Sequence, residues 1–296
     1  MSCGAVGISF DERLWLGSKG DVMTLSTAAV ADAASEVLLA ERQAGILRLT
    51  MNRPAQRNAL SEALIAALHG AIDEAGADPS VRVVIIAAQG SAFSAGHDLK
   101  EIAARRGDAD YGRGYYEWLM ATCAAFMQGI VMCPKPVIAE VQGQAAAAGC
   151  QLVGSCDLAV AADTARFAVP GINIGLFCST PMVALSRNVG RKAAMEMLLT
   201  GQAIDAHEAV RFGLVNRAVA ADALERETRA LAERIASKSA AVLKTGKRAF
   251  YAQAEMGLAE AYDYCARVMV ENLLYRDAEE GIGAFIAKRR PEWEDR

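Results

Sequence analysis

Histidine is scarce in this chain of 296 residues: there are three, His69, His97 and His207. None lies at ligand spacing from another histidine or from a cysteine, so no zinc framework and no metal is expected. The seven cysteines are odd in number and no two form a CxxC pair. A chain this long builds its core without disulfide staples, so free thiols are expected. The generic signatures GxxxxGK[ST], GxSxG and HExxH are all absent, which removes the commonest phosphate-loop, serine-hydrolase and zinc-protease readings. An excess of positive charge is missing too. Lys+Arg total 31 against Asp+Glu 35, a net charge of -4, and no nucleic-acid partner is expected without a basic surface. No long uncharged apolar run exists: the richest stretch, residues 145–162, contains Gln151 and Asp157. It reads as buried core, and no membrane span is expected. Asp11, Glu12 and Asp21 sit where a secretory or transit leader would be basic or neutral, and with the free thiols they lead to a cytoplasmic expectation.

What is present is 53% apolar composition arranged in alternating patterns. Residues 1–36 end in an Ala/Ser/Thr-rich tract and read either as an N-terminal extension with little structure of its own or as a segment in which Met23 is the true start. Regular structure begins at Val37-Leu38-Leu39 and returns through Ile46 to Met51, with Gln43-Ala44-Gly45 as the hairpin turn. Ser61 caps a helix whose Leu64, Ile65, Leu68 and Ile72 recur at helical spacing toward Gly76. Arg82-Val83-Val84-Ile85-Ile86-Ala87 reads as a fully buried strand, consistent with parallel pairing. A helix over about residues 115–132 and a strand from Val137 to Val141 follow. Strands alternating with helices make residues 37–204 an α/β core. Asp205 and Asp222 as caps, and Gly213 as a stop, make residues 205–296 a mostly helical region.

Two Gly/Ala-rich turns follow the buried strands: Ser91-Ala92-Phe93-Ser94-Ala95-Gly96-His97-Asp98 and Gly143-Gln144-Ala145-Ala146-Ala147-Ala148-Gly149-Cys150-Gln151. Each can set a backbone N–H at the carboxyl edge of a sheet, where open α/β folds bind ligands. A helix beginning near Ala148 adds its dipole there, and two such donors on one oxygen form an oxyanion hole. The spacing equally suits two tight turns whose small residues serve close packing.

The same segments resemble the enoyl-CoA hydratase/isomerase (crotonase) superfamily. The likeness starts at Asn52-Arg53-Pro54 and Asn58-Ala59-Leu60. It continues through Phe93-Ser94-Ala95-Gly96-His97-Asp98-Leu99, residues 136–143, Gly149-Cys150-Gln151-Leu152 and residues 156–161 to residues 283–290. Within it, Gly175-Leu176-Phe177-Cys178-Ser179-Thr180-Pro181 is most similar to the subgroup called enoyl-CoA hydratase domain-containing protein 3. The resemblance implies a spiral of ββα units with a C-terminal helical region that makes trimers or hexamers. It also implies an acyl-CoA thioester as ligand, with no separate cofactor, and a thioester oxygen held by the backbone amides of His97 and Ala148. CoA contacts then fall on Gln56 and Arg57, on Asp98, Leu99 and Lys100, and on Phe285 and Lys288 reaching across from a neighbouring subunit.

At the positions of the family's two catalytic glutamates this chain has Gln151 and Gly171. An amide orients water but does not take its proton, and glycine supplies no side chain. Pro170-Gly171 also suggests a turn with Gly171 at positive φ. Position 179, acidic in some dienoyl isomerases of the family, is Ser179. Glu140, Cys150 and Cys178 remain as candidates for proton or thiol chemistry, each with a plainer role as a surface carboxylate or as packing.

Overall fold

The computed structural model describes residues 37–296; the reading of residues 1–36 as an extension lies outside them. Strands β1 (Leu38–Gln43) and β2 (Ile46–Met51) form a hairpin. Its two loop residues, Ala44 and Gly45, both have positive φ, the backbone twist that a two-residue hairpin needs. Helix α1 (Glu62–Ala77) follows, with the Ser61 side chain accepting the Leu64 N–H and the predicted apolar stripe buried. The chain then repeats a unit of two strands followed by one or two helices. The first is β3 (Val83–Ala88), β4 (Ala92–Ser94), α2 (Leu99–Ala104) and α3 (Arg113–Met132); the second is β5 (Val137–Val141), β6 (Gln144–Ala146) and α4 (Ala148–Ser155). The third is β7 (Leu158–Ala162), β8 (Arg166–Ala168), α5 (Pro181–Asn188) and α6 (Arg191–Thr200).

Each unit gives its first strand to one sheet and its second to another. The larger sheet runs β1-β2-β3-β5-β7-β10 and the smaller β4-β6-β8-β9, where β9 is Ile204–Asp205 and β10 is Arg217–Val219. From β2 to β10 the larger sheet is parallel, so its middle strands are covered on both faces. Leu49, Ile86 and Ala139 face the main core with Phe93, Phe126 and Phe167. Ile46, Val83, Ile85, Ile138 and Val160 alternate to the other face.

Past Asp205 the chain is largely helical, with α7 (Ala206–Phe212), α8 (Leu224–Ala236), α9 (Ala240–Gln253), α10 (Leu258–Leu273) and α11 (Arg276–Ile286). It still completes the core: β10 pairs with β7, and Leu224, Leu231 and Ala232 of α8 cover the second face. Two carboxylates, one buried (Glu140) and one half-buried (Asp157), pin elements together. Glu140 of β5 takes both guanidinium nitrogens of Arg48 on β2, at 2.6 and 2.9 Å, and is thereby committed to the sheet. Asp157 accepts the Val137 N–H at 2.7 Å, Lys247 Nζ at 2.7 Å and the Tyr251 hydroxyl at 2.9 Å. The same Lys247 donates to the carbonyls of Ile130 and Lys135, so one ammonium docks α9 onto the ends of three elements.

Removing that ammonium leaves Asp157 charged in a site that water barely reaches. Lys247→Met is therefore expected to lower the unfolding free energy by about 3–5 kcal/mol in urea denaturation. A loss below about 1 kcal/mol, within the range of an exposed pair, would show that the ion pair does not hold α9.

Candidate active site

Three parallel strands of the smaller sheet end side by side: Ser94 of β4 pairs with Ala145 of β6, and Ala146 with Ala168 of β8. Neighbouring strands lie about 4.8 Å apart. The residues that follow, Gly96-His97, Ala147-Ala148 and Pro170-Gly171, are therefore neighbours at one carboxyl edge.

The first two of these turns interlock through a missing side chain. Gly96 has φ +89°, and a Cβ there would stand 2.9 Å from Ala147 Cβ and 3.2 Å from Ala148 N. Only glycine brings this backbone so close to the start of α4. Leu60 fixes the strand on either side of His97, donating to the Gly96 carbonyl at 2.8 Å and accepting the Asp98 N–H at 3.2 Å. The His97 N–H, pointing the other way, finds no acceptor among the described residues. The Ala148 N–H is the first of α4 and is equally free.

Ala147 sets its direction from an unusual backbone, φ 49° and ψ −117°. Such a conformation costs about 1–3 kcal/mol in a non-glycine residue. It is held by the Ala147 N–H on the Ala168 carbonyl at 2.9 Å and by the Ala147 carbonyl accepting from Gln151 N. Two free N–H groups at adjacent strand ends, one at a helix N-terminus, form the geometry in which negative charge on an oxygen is stabilised.

The Asn52-Arg53-Pro54 turn is locked to this edge. Arg57 and Asn58 both adopt left-handed backbone, φ 52° and 50°. The buried Asn58 amide donates to the carbonyls of Gln89 and Ala92, each at 2.8 Å, while its oxygen accepts from Arg53 N. Ser94 Oγ donates to the Asn58 carbonyl at 2.9 Å. Asn58 and Ser94, known from the sequence only as motif residues, are site-building residues; an asparagine following a Pro-containing turn is the local signal for such a role. Gln56 and Arg57 are exposed beside this turn, and Leu99 and Lys100 are exposed on the first turn of α2. The Asp98 side chain is occupied structurally: it caps α2 through Lys100 N at 3.1 Å and pairs with Arg53 at 3.2 Å. Phe285 and Lys288 stand apart at the end of α11, and Phe285 is 85% exposed.

Gln151 and Gly171 lie at the same edge as the free amides. Gln151 is 5% exposed, and its Oε1 has no hydrogen-bond partner. It sits one turn after Ala148 on α4. Gly171 is buried and, against the turn expectation, does not have positive φ. Space is what demands glycine: a Cβ would lie 2.7 Å from the Leu176 carbonyl oxygen and 2.8 Å from Cys178 Sγ. Burial keeps the His97 imidazole below its ordinary pKa, neutral at pH 7, with Nε2 buried and unpartnered. Burial also pushes the Cys150 thiol up to about 12 and raises that of Cys178, so both rest as thiols.

The family model described as enoyl-CoA hydratase/isomerase matches residues 41–296. The chain belongs to the enoyl-CoA hydratase/isomerase family. It is 49% identical over 253 residues to enoyl-CoA hydratase domain-containing protein 3, mitochondrial, of Xenopus laevis, covering 86% of this chain and 84% of that one. A crystal structure of enoyl-CoA hydratase from Mycobacterium smegmatis superposes with a TM-score of 0.83 at 53% identity, covering 87% and 98% of the two chains. The human enoyl-CoA hydratase domain-containing protein 3 superposes equally well, TM-score 0.83 at 46% identity, over 87% of this chain and all 100% of that one. The crotonase fold and the resemblance to the domain-containing-protein-3 subgroup therefore stand.

The cytoplasmic expectation does not stand, because the vertebrate relatives of that subgroup carry "mitochondrial" in their names. Free thiols speak for a reducing compartment, and that property does not separate cytosol from a reducing organelle interior.

The glycine at 171 has a direct test. Gly171→Ala is expected to cost about 1–3 kcal/mol, the range for forcing a methyl into a packed interior. Gly70→Ala on α1, where a Cβ meets nothing within 4 Å, is expected to gain roughly 0.5–1 kcal/mol. Thermal melts showing no difference between the two would mean that the 171–178 segment yields freely.

Proposed function

We propose that this chain binds acyl-CoA thioesters and polarises them through the backbone amides of His97 and Ala148. The observation that carries the reading is the pair of free N–H groups, brought to one sheet edge by Gly96 and by the strained Ala147. A thioester oxygen placed between them becomes more enolate-like, which acidifies the α-carbon; one such donor is typically worth about 10²–10³ in rate. No metal and no separate cofactor enters this reading.

Efficient hydration of simple enoyl-CoA is not part of it. Water addition needs a base for the water and an acid for the α-carbon, and the two family positions carry Gln151 and a glycine with no room for a side chain. Loss of general acid–base catalysis costs about 10²–10⁴-fold. A second reading, a non-catalytic acyl-CoA binder or assembly subunit, is favoured by the same closed slot at Gly171.

Arg57 and Lys100, exposed on either side of the Asn58 lock, are proposed to meet the CoA phosphates, with Gln56 and Leu99 beside them. Phe285 and Lys288 complete that site only from a neighbouring subunit. Assembly into a trimer or hexamer is supported by α10, where Leu258, Tyr262, Met269 and Leu273 recur on one face and are exposed. A mitochondrial destination follows the naming of the vertebrate relatives.

Calorimetric titration with a panel of acyl-CoAs, paired with turnover on the matching enoyl-CoAs, tests the reading. Saturable binding is expected, weakened about tenfold or more by each of Arg57→Ala, Lys100→Ala and Lys288→Ala, since a charge-assisted contact contributes roughly 1.5–3 kcal/mol. Absence of binding to every acyl-CoA would overturn the reading, and unchanged affinity in all three variants would misplace the CoA site. Light scattering is expected to give three or six chains per particle; a monomer at micromolar concentration would remove the neighbour's Phe285 and Lys288 from the site.

A further inference from the structure

An open cavity of about 780 Å³ lies at the amino ends of β3 and β5. Its core wall is the end of α1 with Pro79, and Pro134-Lys135 just before β5; its other wall is α9 and α10. The two strands are six and five residues long, so about 16 Å or more of sheet separates this place from the carboxyl ends, where the chain turns toward the free amides. The volume falls within the range of roughly 300–1,000 Å³ that small-molecule sites occupy.

The charge lining this cavity is one-sided. Lys135, half-buried, and Lys244, Arg248 and Arg267, exposed at the rim, all line it. None of the four side chains has an ion pair or a hydrogen bond among the described residues. Arg42, Arg48, Arg53 and Arg82, by contrast, each reach a carboxylate. The carboxylates nearby are already engaged. Asp295 accepts from Arg82 at 2.7 and 3.3 Å and from the Ala240 N–H, the first of α9, at 2.6 Å. Asp78 takes Arg42 and Ser80, and the fifth lining cation, Arg296, pairs with Glu294. Among the described residues, Glu271 is the one lining carboxylate left without a partner. Four cations therefore face one carboxylate, in a chain whose net charge is -4. Burial, with Arg82 and Lys244 close by, holds the Lys135 ammonium below its ordinary pKa, the direction expected of a cation short of counter-charge.

We propose that this cavity is a second binding site, for a small multivalent anion. Such a ligand neutralises Lys135, Lys244, Arg248 and Arg267 together, and phosphate and carboxylate oxygens both suit ammonium and guanidinium donors. The seating of Asp295 shows that the same wall already takes a negative charge from the chain itself. The groups involved are separate from those of the acyl-CoA reading and of assembly. On α10, Tyr264, Arg267, Val268 and Glu271 line the cavity at helical spacing, whereas the exposed Leu258, Tyr262, Met269 and Leu273 fall on the other side of the helix. An anion held between Lys135 and the two helices ties the helical region to the core, and a ligand of the folded state raises its stability.

The test is calorimetric titration of the full chain with sodium pyrophosphate and with sodium citrate at low ionic strength, where exposed cations are least screened, with thermal melts alongside. The variants are Lys244→Ala with Arg267→Ala, Arg248→Gln alone, and Arg57→Ala with Lys100→Ala. The first two remove only exposed, unpaired cations, so their ligand-free melting midpoints are expected to match the parent. Saturable binding of at least one probe is expected in the parent, with a raised midpoint. It is expected to weaken about tenfold or more in the Lys244/Arg267 variant and at least threefold in Arg248→Gln, and to stay within threefold of the parent in the Arg57/Lys100 variant. Tighter binding of pyrophosphate assigns the site to phosphate esters, and of citrate to polycarboxylates. Absence of saturable binding by both probes would overturn the proposal. Undiminished binding in both the Lys244/Arg267 and Arg248 variants would overturn it too. So would a loss that follows Arg57 and Lys100, which would move the anion to the proposed CoA site.

Discussion

The acyl-CoA reading of this chain depends on one close approach, the backbone of Gly96 lying against Ala147 and Ala148. Two strand ends of a parallel sheet are already neighbours at about 4.8 Å, but side chains normally keep the turns beyond them apart. With no Cβ at 96 the gap closes, and the N–H groups of His97 and Ala148 are left free at the same edge. Gly149, where a Cβ would stand 2.4 Å from the Ser94 carbonyl, and Gly143, where one would stand 2.1 Å from the Ser91 carbonyl, repeat the device. These contacts are backbone against backbone, so no rotamer change relieves them. The rest of the molecule serves to hold that edge: the Asn58 lock, the Arg48–Glu140 pair and the Lys247–Asp157 anchor join elements far apart in sequence.

On the proposed reading, the chemistry divides into a part that backbone alone supports and a part that needs carboxylates. Stabilising charge on the thioester oxygen requires only backbone, and backbone is present. Moving protons requires side chains, and on the proposed reading the two positions that would carry the glutamates are Gln151 and a Gly171 walled in by Leu176 and Cys178. Restoring a carboxylate at 171 is therefore more than a substitution, because the segment that closes on Gly171 has to open first.

Much of this was legible in the sequence because it is periodic. The strand expected over 82–87 and observed as Val83–Ala88, the Ser61-capped helix and the strand over 137–141 followed from apolar runs and helical spacing, and a helix start near Ala148 from the Gly/Ala-rich turn. The positive φ anticipated at Gly171 was a different matter. A Pro-Gly pair signals a tight turn, but the actual constraint is a sulfur arriving from seven residues later, and no local pattern encodes that contact. The locking role of Asn58 was hidden for a similar reason: its partners, Gln89 and Ala92, are more than thirty residues away. The exposed cationic and aromatic groups, Arg57, Lys100, Lys288 and Phe285, are the least legible, since nothing in one chain distinguishes a phosphate contact from a solvated surface.

The central claim is that two backbone N–H groups hold a thioester oxygen, and the carbonyl itself reports on it. Isotope-edited infrared spectra of butyryl-CoA labelled with 13C at the thioester carbon, free and bound, measure the strength of that hold. The account predicts a band moved to lower frequency on binding, and a return toward the free position in Gly96→Ala, where the two turns are forced apart. A bound thioester whose band coincides with that of free butyryl-CoA would contradict it.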